Sequence, residues 1–122
     1  MLIRGIILAC MLAVMPSAFA ASAAVKQMAG ILLGLEHYPT DAEKVTLKGI
    51  ANSTDSSAQE KLLAAAIVNL NHNVANADRG KVKEVADDAK APADVRELAN
   101  VLLTISHKPS ATAKSKLEEL MK

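Results

Sequence analysis

The chain has 122 residues, a formal net charge of +1, and only two aromatic residues, Phe19 and Tyr38. That length holds one domain, and near-neutral charge removes nucleic acid and anionic membrane surfaces from the implied partners. A base-stacking platform is excluded by the shortage of aromatic side chains.

The first twenty residues have the layout of a secretory signal peptide. Arg4 precedes an apolar run over residues 5–15, Pro16 breaks it, and Ala18-Phe19-Ala20 offers the small-residue cleavage pattern. Residues 1–20 are therefore read as a cleavable leader, and residues 21–122 as a single α-helical repeat domain exported to the bacterial periplasm. The apolar run is too short to span a bilayer, which takes roughly 20 residues. No integral membrane segment is expected after cleavage. Cys10, the sole cysteine, lies in the leader. A lipid-anchored alternative through Cys10 is disfavoured by the bulky Leu8. Removing Arg4 cancels the charge excess, and a domain without cysteine must be held by packing rather than disulfides.

In chain order, the apolar positions Val25, Met28, Ile31, Leu32 and Leu35 recur at three and four residues, the spacing of one helix face. Ser22 begins this helix and His37-Tyr38-Pro39 ends it, because proline disfavours helical geometry in the residue before it. Thr40 and Glu43 form a capping box for a second, shorter helix with Val45, Leu47 and Ile50 on its apolar side. The run Asn52-Ser53-Thr54-Asp55 is a polar turn. Ser56 and Gln59 offer another capping box, and a helix over residues 57–72 carries Leu62, Leu63, Ala66, Ile67 and Leu70. A short helix with Val82 and Val85 follows, weakened by Gly80 at about 1 kcal/mol relative to alanine. Pro92 suits a first helical position; Val95, Leu98, Ala99, Leu102 and Ile105 form the next stripe, which Lys108-Pro109 ends. Ser110 caps a last helix with Leu117 and Leu120.

These six helices repeat at a constant interval. His37, His72 and His107 stand 35 residues apart, and the same interval relates Ala29, Ala64 and Ala99; Leu32, Ile67 and Leu102; and Leu47, Val82 and Leu117. The expected fold is all-α: three helical hairpins of 35-residue period, at about 22–56, 57–91 and 92–122, stacked as a short right-handed α-solenoid. A single hairpin cannot bury its apolar face, so about three are needed for a continuous core.

Residues 81–105, with a short helix, the turn ADDAKAP, then Asp94-Val95-Arg96 and Ala99, Leu102 and Ile105 at helical spacing, resemble a degenerate HEAT-like repeat. The resemblance implies an α-solenoid used as a protein-binding surface. The second copy departs from it, with Ser57 in place of Pro92.

Two sets of equivalent residues carry the candidate chemistry. The histidines at positions 37, 72 and 107 are read first as helix-terminus residues bonding free carbonyls. The alternative is a divalent metal site, since neutral imidazole suits Zn, Cu or Ni. Stacked helices lie about 8–10 Å apart, whereas nitrogens sharing one ion must lie within about 4 Å of one another, so a shared site is not expected in an open stack. Lys44, Arg79 and Lys114 form a basic stripe, the candidate surface for an acidic protein partner, or a solvated face balanced by neighbouring acids. No glycine-rich phosphate loop, nucleophile elbow or spaced metal motif is present. The expectation is an exported, non-enzymatic protein-interaction module without a cofactor, its partner another protein. A histidine-dependent periplasmic metal binder and a small structural or oligomerisation unit are the competing expectations.

Overall fold

Helix caps fix where the elements begin. Residues 21–122 are described by a computed structural model; the leader and Cys10 lie outside the described residues. Among the described residues there are six α-helices and no strand: α1 (Ala23–Leu33), α2 (Asp41–Asn52), α3 (Ala58–Val68), α4 (Asn76–Asp87), α5 (Ala93–Thr104) and α6 (Ala111–Met121). Ser22 caps α1 by accepting from the Val25 N–H, and Ser110 caps α6 by accepting from Ala113. Thr40 and Glu43 form the expected capping box of α2. The second box sits one residue later than expected, on Ser57 and Glu60 rather than Ser56 and Gln59. A carboxylate accepts the free N–H more strongly than an amide oxygen does, and Glu60 is the residue that supplies one. Pro92 is the N-cap of α5 rather than its first helical residue.

Lengths also differ from the sequence reading. All six helices have 11 or 12 residues, because α1, α3 and α5 stop before the histidines while α2 runs through Gly49 to Asn52. Val45, expected on the apolar side of α2, is 71% exposed.

Helices α1, α3 and α5 touch one another pairwise, and α2, α4 and α6 each pack against two of them. The most extensive pairings are α2 with α3, α4 with α5, and α6 with α1. The tightest helix pairs therefore straddle the boundaries expected between hairpins. An open stack would leave the first and last helices at opposite ends; here α6 packs on α1, and Met121 Cε lies only 3.3 Å from where a Cβ on Gly30 would stand. The arrangement is a closed one, with the last helix returning to the first.

The core follows the 35-residue interval. Met28, Leu63 and Leu98 are fully buried, as are Ala29, Ala64 and Ala99, and Leu32, Ile67 and Leu102. Alanine at one position of each inner helix allows close approach; the larger residues beside it fill the space between. Leu47, Val82 and Leu117 complete the core from the outer helices. At the N-terminal ends of the inner helices, Ser22 N–H donates to Asp94 Oδ2 at 3.0 Å and Ser22 Oγ–H donates to the buried Glu60. Contacts between α1, α3 and α5 thus join residues 38 and 72 apart in sequence, and the C-terminal ends of the same three helices lead into the histidine turns.

Candidate metal centre

Each histidine lies in the six- or seven-residue connection between an inner and an outer helix. Its flanks are buried two residues away on either side: Leu35 and Pro39, Leu70 and Val74, Ile105 and Pro109. Burial of both anchors forces the chain between them into a tight reversal, and the central residue is lifted to the surface. Tyr38 N–H donates to Glu36 C=O at 2.9 Å and Lys108 N–H to Ser106 C=O at 2.8 Å, the i to i+2 bond of a γ-turn. Around His72 the narrow reversal is closed by Asn71 N–H donating to Asn73 C=O at 3.2 Å.

All three histidines have positive φ, 74° at His37 and 68° at His72 and His107, and they are the only non-glycine residues of that kind among the described residues. A side chain with a Cβ is disfavoured there by roughly 1–2 kcal/mol. Glycine is the ordinary choice for the backbone alone, and asparagine, aspartate and histidine are the side chains that enter this region most readily.

The three turns are joined by a closed cycle of backbone bonds. His37 N–H donates to His107 C=O, His107 N–H to His72 C=O, and His72 N–H to His37 C=O. Residues 35 and 70 apart in sequence are thereby fixed against one another by main chain, not by flexible side chains. The geometry also explains why the helix-terminus reading of the histidines fails: α1, α3 and α5 end at Leu33, Val68 and Thr104, and the imidazoles lie beyond them.

The rings converge. Centroid separations are 4.9 Å for His37 and His72, 4.7 Å for His72 and His107, and 5.4 Å for His37 and His107, all edge-on. The Nδ1 atoms of His37 and His72 are 3.2 Å apart and those of His72 and His107 are 2.7 Å apart. One ring nitrogen from each of the three lies within 4.8 Å of the others. The expectation that the imidazoles stand too far apart to share an ion is thus corrected, because the closed arrangement of helices replaces the stacking distance of an open one.

Hydrogen bonding alone serves this cluster badly. A neutral imidazole nitrogen carries either one proton or one lone pair, yet His72 Nδ1 faces two other Nδ1 atoms. It must split one proton between two acceptors or receive two protons on one lone pair. A cation at the centre would meet three lone pairs with all three rings in the same tautomer. At a metal–nitrogen distance of about 2.0–2.1 Å and tetrahedral angles, ligand nitrogens stand about 3.4 Å apart; the 3.2 Å pair is close to this, the 2.7 Å pair would open by about 0.7 Å, and the His37–His107 pair, bounded at 4.8 Å, would close onto the ion.

The histidines are solvent-exposed, and beside two of them lies a half-open cavity of about 430 Å³ whose lining includes Glu36, His37, His107, Lys108 and Lys114. Lys114 is one of the three basic residues singled out by the sequence. All three occupy the fourth position of the helix that follows a histidine turn: Lys44 in α2, Arg79 in α4 and Lys114 in α6. Sequence spacing alone did not connect this stripe with the histidines, although the constant offset of seven residues was visible. Among the described residues no helix is long and apolar enough to cross a membrane. A comparison with protein-family models, curated proteins and solved structures finds no match.

Proposed function

We propose that the protein is an exported, non-enzymatic metal-binding domain that holds one divalent transition-metal ion on Nδ1 of His37, His72 and His107. The observation that carries this reading is the convergence of three Nδ1 atoms on backbone positions unfavourable for any side chain. Strain retained at three equivalent positions is accounted for when the side chain has a task the fold does not require. Three neutral imidazoles form an all-nitrogen donor set suited to Zn, Cu or Ni, and the backbone cycle orients them before the ion arrives, which lowers the entropy lost on binding. Export follows from the leader read in residues 1–20. In this reading Lys114, which lines the cavity beside His37 and His107, stands next to the metal.

Calorimetric titration of the purified protein with Zn(II), Ni(II) and Cu(II) tests the assignment. One ion per chain is expected, and His37→Ala, His72→Ala and His107→Ala should each abolish or severely weaken binding. Absence of binding by all three metals, or equal binding by a variant lacking all three imidazoles, rejects the reading.

A further inference from the structure

Three histidines leave a metal coordinatively unsaturated, and the surroundings indicate what completes it. An ion held by three neutral imidazoles retains its full double positive charge. Among the described residues, the histidine trio is the only group of three or more His, Cys, Asp or Glu able to share an ion, so Glu36, although on the cavity wall, is not part of the donor set. The other charged side chains of that wall are the cations Lys108 and Lys114. Neither is in an ion pair among the described residues, where the salt bridges are Lys83 with Asp87 and Lys122 with Glu119.

Lys114 is also placed against the electrostatics of its own helix. It lies at the fourth position of α6, near the positive end of the helix dipole, and the first turn of α6 has no acidic residue to offset it. A cation there gains nothing locally. It is well placed to meet a negative group bound next to His107 and His37, with which it shares the cavity. The cavity, at about 430 Å³ and half open to solvent, suits a small ligand.

We infer that the open coordination position of the histidine-bound metal takes a small oxyanion, one oxygen on the metal and the remaining charge toward Lys114. Carboxylate, bicarbonate and phosphate share this chemistry. The inference rests on the metal reading of the trio. Its consequence is that the protein binds metal and anion together, each strengthening the other.

Loading the purified protein with Co(II) separates the two readings. Visible absorption of the loaded protein should change on titration with acetate, bicarbonate or inorganic phosphate, and the anion giving the largest affinity identifies the source. Lys114→Ala should weaken anion binding by roughly tenfold or more while leaving Co(II) affinity within about twofold. Glu36→Gln should leave Co(II) affinity unchanged and strengthen the anion. Failure to bind Co(II), Zn(II), Ni(II) and Cu(II) alike removes the metal reading and this inference with it. Normal Co(II) binding with a spectrum insensitive to all three anions overturns the inference alone. So does equal anion affinity in Lys114→Ala, and so does a loss of Co(II) affinity in Glu36→Gln, which would make the chain's own carboxylate the fourth ligand.

Discussion

Replacing His72 by glycine separates the demands of the backbone from those of the imidazole. His72 has φ of 68° and is exposed, so its side chain buries little area, and its N–H and C=O bonds to His37 and His107 survive the substitution. Removing Cβ relieves roughly 1–2 kcal/mol of left-handed strain. Against this stands about 0.5–1 kcal/mol for the greater freedom of glycine in the unfolded chain. The balance is a gain of up to about 1.5 kcal/mol for the metal-free protein, or a rise in Tm of several degrees at about 4–8 °C per kcal/mol. With metal the order reverses. A ligand at a hundred times its Kd stabilises the native state by about 2.7 kcal/mol, an increment the wild type gains and His72→Gly loses. Thermal unfolding of both proteins, with a chelator and then with Zn(II), reads both effects. A variant less stable than wild type by more than about 1 kcal/mol in chelator would show that the imidazole supports the fold itself. In that event backbone strain lends no support to a metal site.

Acid should release the ion, because an imidazole nitrogen must be unprotonated to ligate. The affinity measured by titration should therefore fall as the pH is lowered. With three protons competing, the slope approaches a thousandfold per pH unit at its acid limit; a pH-independent affinity would contradict imidazole ligation. Gly80, in the middle of α4, has nothing within 4 Å of an added Cβ, so Gly80→Ala should raise unfolding free energy by about 0.8–1.0 kcal/mol in urea titration. Leu98 of α5 is fully buried in the core, and Leu98→Ala should cost about 2–5 kcal/mol. The same loss should appear in the midpoint of urea unfolding without a change in metal stoichiometry at low temperature, provided the variant is folded.

Much of the local structure was legible because it rests on neighbouring residues. The Thr40–Glu43 box, the Ser22 and Ser110 caps, and the apolar stripes through Leu32, Ile67 and Leu102 depend on contacts within one turn or on one helix face, and these leave a pattern in the order of residues. The shift from Ser56 to Ser57 shows the limit, since two adjacent hydroxyls satisfy the same spacing and only the reach of the Glu60 carboxylate decides between them. Val45 shows another. Three apolar positions on a short amphipathic segment suggest a face, but α2 meets α1 and α3 over a narrower strip than that face, and Val45 falls outside it.

What the sequence determined by itself is the all-α character, the apolar positions that fill the interior, and the equivalence of His37, His72 and His107. What only the tertiary structure decided is how those equivalents relate in space. A 35-residue interval is compatible with an open stack, in which each copy is displaced from the last, and with a closed arrangement, in which rotation brings the third copy back to the first. The difference lies in the angle between successive helix pairs, a sum of many side-chain volumes such as Gly30 against Met121 and Ala29 beside Ala64 and Ala99. Closure converts imidazoles expected to be a helix spacing apart into rings with centroids 4.7–5.4 Å apart, and three separate turns into one candidate site.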